Sequence, residues 1–132
     1  MSAVELQNVQ NDFSHEIIGA AVEVQRVLGV GLLESAYLAA FEVELTEREI
    51  TFTRNVPYSA SYKGWPLGEV YRAGFVVEQS VIVELKAVDV LNDLQRTQVQ
   101  AALRVSGLKL GLLINFNVFP VVKGVHRIAS KP

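Results

Sequence analysis

Val81-Ile82-Val83-Glu84-Leu85-Lys86-Ala87 carries the side-chain pair in this sequence that most needs a chemical reason. The run reads as a strand, in which alternate side chains share a face. Ile82, Glu84 and Lys86 then point one way, and Val81, Val83 and Leu85 the other. Glu and Lys are rarely buried unless paired, so both in so apolar a strand ask for an explanation. One reading makes them solvated neighbours on an exposed face. The other makes them a divalent-metal site. Glu84 would hold the ion, and Lys86 would position the attacking water or stabilise charge on a phosphate. Gly31-Leu32-Leu33-Glu34-Ser35-Ala36-Tyr37 offers a second carboxylate. Glu34 falls in the first turn of a helix, where the dipole favours an acid in any case. Tyr37, one turn on, shares its face and reads as a core aromatic with its hydroxyl at the rim.

The elements that must position these groups follow from periodicity. Phe13, Ile17, Ala20, Ala21, Val24, Val27 and Leu28 recur at three- and four-residue steps, which predicts a helix over 12–28 ended by Gly29. A second helix follows Gly31, with the stripe Leu33, Tyr37, Ala40, Phe41 and Leu45. The period then changes. Residues 50–62 are rich in Thr, Val and Tyr and read as a strand, with Pro57 placing it at an edge or a bulge. Lys63-Gly64-Trp65-Pro66 reads as a turn. Strands follow over 69–77 and 81–87, so the three strands form an antiparallel meander. A third helix spans 91–106, with Asn92 or Asp93 at its cap and Gly107 at its end. Leu94, Gln98, Ala101 and Val105 share one of its faces, and Leu91, Val99, Ala102 and Leu103 extend the apolar side. The run 108–115 suits a strand buried on both faces, and 121–129 is a last, weaker strand. The expected architecture is one α/β domain in the order ααβββαββ, a mixed sheet flanked by helices. Residues 1–11 read as a loose N-terminal segment.

Composition narrows the chemistry. A chain of 132 residues, half of them apolar, fits one domain with a full core. Without cysteine there is no disulfide framework, thiolate metal site or cysteine nucleophile. The expected location is cytoplasmic, since nothing reads as a signal peptide or a membrane span. The net charge of -2 argues against a surface that grips nucleic acid everywhere, and leaves room for a local patch. His15 and His126 have no metal-ligand spacing. No Gly-Lys-Ser/Thr follows the glycines of a phosphate loop. Arg72, Arg96, Arg104 and Lys109 read first as a solvated mixed-charge face and second as a basic patch near the third helix.

GLLESAY (31–37) has the spacing GxxExxY, and the chain resembles the GxxExxY family, which is similar to the PD-(D/E)xK nuclease superfamily. The resemblance runs from the first helix to Arg127. It rests on LGVGLLESAY (28–37), VYRAGFVVEQSVIVELKAV (70–88), Gln98 and GLKLGLLINF (107–116). It implies a restriction-endonuclease-like core and a metal-dependent nuclease acting on DNA or RNA. Glu34 matches the helix acid and Glu84 the metal carboxylate. Lys86 matches the catalytic lysine and Gln98 the polar residue of the following helix. The implied cofactor is Mg2+ or Mn2+, held by Glu34 and Glu84. The chain also departs from the pattern. Gly74 stands where the strand Asp is expected, and Ala102 where an aromatic is expected. Gln25 and Gln95 stand where histidines are often seen. The competing expectation is therefore an inactive nuclease fold that binds nucleic acid or a protein. A homodimer is expected as well, with Val118–Val122 as an interface segment.

Overall fold

The computed structural model describes residues 12–131, and the expectation of a loose segment over 1–11 lies outside them. Helix α1 (Ser14–Leu28) ends at Gly29, whose left-handed φ of 73° lets its N–H turn back to the Gln25 carbonyl. Helix α2 (Glu34–Glu47) follows the 29–33 loop. Strands β1 (Phe52–Tyr62), β2 (Trp65–Val77) and β3 (Val81–Lys86) come next. Helix α3 (Asp93–Ser106), β4 (Leu110–Asn115), a 3-10 turn (Val121–Gly124) and β5 (Val125–Ala129) complete the order. This is the expected ααβββαββ sequence. The sheet order is β1-β2-β3-β4-β5, antiparallel except for the parallel pair β3–β4. That parallel step needs a crossover, which α3 supplies.

Several boundaries differ from the expectation. β2 begins at Trp65, because Lys63 and Gly64 alone make the turn, with φ of 50° and 83°. Two consecutive left-handed residues match the twist of a tight hairpin. The final expected strand is split, since Val121–Gly124 winds into the 3-10 turn first. Leu91 lies outside α3, whose N-terminus is closed by a capping box between Asn92 and Gln95. Gln95, at a position where the resemblance expects a histidine, is therefore a helix cap here.

The core has two parts, one on each face of the sheet. On one face Ile17, Val24, Tyr37, Phe41 and Leu45 from α1 and α2 cover Phe75, Val83, Leu112 and Ile114. On the other, Ala102 and Leu103 of α3 cover Ile82, Ala73 and Val76. The buried face of α3 is thus Val99, Ala102 and Leu103, while Leu94, expected on an apolar face, is 60% exposed. Leu33, expected on the α2 stripe, is the extended residue before the helix and is 78% exposed. β4 is buried along its whole length, as its unbroken apolar run requires. Pro57 sits in β1, which is an edge strand, so its missing N–H costs no ladder bond to a further strand. No helix among the described residues is long and apolar enough to cross a membrane.

Candidate active site

β2 and β3 pair only at Val77–Val81, Val76–Ile82 and Phe75–Val83. Beyond that rung they part. β3 continues beside β4, through Glu84–Leu113 to Lys86–Asn115, while β2 continues beside β1. Gly74 and Glu84 stand at the fork. The Gly74 N–H, released from the ladder, donates to Glu84 Oε1 at 2.7 Å. The other carboxylate oxygen accepts from the Tyr71 hydroxyl. The Glu84 side chain thus takes the place of the next rung.

Tyr71 reaches this position because the alternation of β2 breaks. Asn55 of β1, at φ 53°, lies across from Gly74 between the pairs Arg54–Phe75 and Val56–Ala73. Phe75 falls in the core under α1 and α2, yet Ala73, two residues away, falls in the core under α3. Tyr71 joins that second cluster and faces Glu84. Strict period-two counting puts Tyr71 on the other face, which is why the sequence did not single it out. Arg54 braces the break, its Nε donating to the Gly74 carbonyl at 3.0 Å and its guanidinium lying 4.3 Å over the Phe75 ring.

Gly74 has a steric role. A Cβ built on it would stand 2.6 Å from Glu84 Oε1. Any side chain there must push the carboxylate aside. Glycine and the inward-folded Glu84 therefore belong together.

Burial raises the Glu84 pKa above the ordinary carboxylate value. The Tyr71 and Gly74 hydrogen bonds and the Lys86 charge oppose that rise, and Glu34 adds to it. Burial and the Glu84 charge also hold the Tyr71 phenol well above its usual range, so it stays an O–H donor. The charges of Lys86 and Glu34 thus both act on the Glu84 carboxyl. Glu34 opens α2, where the helix dipole favours its charge. Lys86 closes β3, and Asn115 fixes its surroundings. The buried Asn115 side chain accepts from Val88 N–H at 3.1 Å and donates to the Val88 carbonyl at 2.8 Å. Asn115 was missed as well, since a lone Asn at the end of an apolar run signals only a strand end.

Tyr37 works through the loop before Glu34. It is fully buried and stacks on Phe116 at 4.8 Å. Its hydroxyl donates to the Gly29 carbonyl at 2.8 Å and accepts from Leu32 N–H at 3.2 Å. The spacing of Gly31, Glu34 and Tyr37 thus encodes a left-handed turn, a helix start and the clamp that joins them. Tyr37→Phe should keep the stack and lose about 1–2 kcal/mol from the unpaired loop groups. Urea unfolding reads this, and an unchanged midpoint would refute the clamp.

Gln98 is exposed on α3 and makes no hydrogen bond to Glu34, Glu84 or Lys86. The inward side of α3 is occupied by Val99, Ala102 and Leu103. No group of three or more acidic, His or Cys side chains among the described residues is placed to hold a metal. The metal donors the site offers are the two carboxylates, Glu34 and Glu84.

The sequence profile of the PD-(D/E)XK nuclease superfamily matches residues 11–128. The chain belongs to that superfamily. Comparison with curated proteins and with solved structures gives no match. The mixed five-stranded sheet with its helices is the restriction-endonuclease-like core of a PD-(D/E)XK protein. In this PD-(D/E)XK chain Glu84, in the run Glu84-Leu85-Lys86, is folded inward onto the Gly74 backbone.

Proposed function

We propose that this protein hydrolyses phosphodiester bonds of DNA or RNA through Glu84, Lys86 and Glu34, as the GxxExxY resemblance implies. The observation that carries the reading is Glu84 itself. It is an acid of raised pKa, largely buried at a strand fork, with an ammonium and a second carboxylate in its field. Acids perturbed by burial together with specific charge partners cluster at functional sites.

The donor set fits Mg2+ or Mn2+ in its weak form. Such ions are commonly held by one or two carboxylates, with water and substrate phosphate completing the shell. Glu34 and Glu84 would hold the ion. When bound, it polarises the scissile phosphate and eases deprotonation of water. Lys86 supplies a fixed positive charge for the attacking water or the phosphate. Tyr71 and Gly74 hold Glu84 in place, and each carboxylate oxygen keeps a second lone pair to offer a ligand.

A second reading is a nuclease fold that binds without cleaving. Gly74 favours it, because both Glu84 oxygens already have donors and no strand acid draws the carboxylate outward. Gly74→Asp decides between the two. Its Cβ evicts Glu84 Oε1 from the glycine, turns that carboxylate outward and adds a third acid. Cleavage of single- and double-stranded DNA and RNA with Mg2+ or Mn2+ is expected to rise at least about tenfold in this variant. Nucleic-acid binding without cleavage, in both the wild type and a folded Gly74→Asp variant, would establish the second reading instead.

A further inference from the structure

The arginines of this protein divide into two groups. Arg26, Arg48, Arg54 and Arg72 each form an ion pair with a glutamate, namely Glu23, Glu44, Glu42 and Glu69. The other three, Arg96, Arg104 and Arg127, line one groove of 440 Å³ between α3 and β5, together with Lys131. Among the described residues neither Arg96 nor Arg104 has an acidic partner. Arg127 is paired with Asp12. A second hollow of 430 Å³ shares Arg104 and Lys131 and adds Lys109. No acidic residue lines either one. Five of the twelve basic side chains of an acidic protein thus line these two hollows, which share Arg104 and Lys131.

The arrangement is regular. Arg96, Gln100 and Arg104 recur at four-residue steps, which puts them in one stripe along α3. From Arg96 to Arg104 the stripe runs about 12 Å, at roughly 1.5 Å per residue. That length matches the rise of about three to four base pairs. The stripe is also held in place. Gln100 Nε2 donates to the Ala129 carbonyl at 3.1 Å and ties α3 to β5. Arg96 Nη2 lies 2.9 Å from His126 Nδ1, so the imidazole accepts from the guanidinium and steers it without neutralising it. The groove lies on the sheet face that α3 covers. Ile82, which packs under α3, shares that face with Glu84 by strand alternation.

We propose that the α3–β5 groove is a docking surface for the phosphodiester backbone of a nucleic acid, gripped by Arg96, Arg104, Lys109 and Lys131. A repeated row of cations without an acidic partner among the described residues fits a repeated row of phosphates, and guanidinium groups bind them through paired N–H donors. The inference shares its ligand class with the proposed nuclease reading, but it requires no cleavage.

The test is binding of labelled single- and double-stranded DNA and RNA, measured by fluorescence anisotropy in EDTA over a series of salt concentrations. The wild type is compared with Arg96→Ala/Arg104→Ala and with Arg26→Ala, which removes a paired arginine on α1. The double variant should bind at least about tenfold more weakly at low salt. Its slope of log affinity against log salt should be shallower by about 2, roughly 0.9 for each phosphate that is no longer neutralised. Arg26→Ala should match the wild type. The four nucleic acids, run side by side, tell which backbone is preferred. The proposal is overturned if the double variant keeps wild-type affinity and slope. It is also overturned if the wild type binds none of the four, or binds polyglutamate equally well. Loss of binding in the double variant alongside absent cleavage would uphold the groove and remove the nuclease reading. Cleavage with unaltered binding would do the reverse.

Discussion

Glu84→Ala is expected to lower cleavage of DNA or RNA by at least about 100-fold, because under the proposed function it removes one of the two carboxylates that would hold the metal ion. Cleavage that persists in this variant belongs to a contaminant and removes the enzyme assignment. Glu84→Gln separates charge from shape. Its carbonyl oxygen can still accept from the Gly74 N–H, and its amide can donate to the Tyr71 oxygen with the phenol as acceptor. The variant should therefore be as inactive as Glu84→Ala, yet more stable than the wild type at neutral pH by about 1 kcal/mol.

The sign of that gain follows from the raised pKa. An unfolded chain releases the Glu84 proton near the ordinary value of 4.5, whereas the folded protein holds it to higher pH. Between the two the unfolded state binds fewer protons, so stability falls as pH rises through that window. Below 4.5 both states are protonated and the penalty vanishes. Denaturant midpoints of wild type and Glu84→Gln should therefore converge in acid and diverge toward neutrality. Parallel curves would show that burial of this carboxylate carries no stability cost.

The second large effect is expected at Gln25, far from the chemistry. This side chain is 5% exposed and bridges α1 to the β4–β5 connection. Its Nε2 donates to the carbonyls of Phe116 at 3.0 Å and Val118 at 2.7 Å, and its Oε1 accepts from Val121 N–H at 2.8 Å. Gln25→Ala leaves three buried or half-buried backbone groups unpaired. At about 1 kcal/mol for each bond, the cost is about 3 kcal/mol and roughly 10 °C in Tm. A thermal shift of a degree or two would mean that the connection re-forms its bonds elsewhere. A neutral histidine has one ring donor and one acceptor, so Gln25→His cannot satisfy all three groups. The glutamine at this position therefore has a structural reason of its own. Phe116 also stacks on Tyr37, which clamps the loop before Glu34. Loosening Gln25 should thus reach the candidate site through this chain of contacts.

Local pattern was enough for much of this. The helix-to-strand change of period, the paired Glu84 and Lys86, and the Gly31–Glu34–Tyr37 spacing are properties of neighbouring residues. Fold order follows from them.

What the sequence by itself determined is therefore the order of elements, the strand that carries the charges and the acid at the helix start. The tertiary structure alone decided what surrounds them. Tyr71 meets Glu84 because Asn55 and Gly74 break the alternation of two strands at once. Gln25 meets Phe116 across 91 positions. Arg54 of β1 pairs with Glu42 of α2, and Arg127 pairs with Asp12 across 115 positions. Period and propensity act over a few residues. Register, strand splay and charge pairing are settled when distant segments pack, and no short pattern contains them.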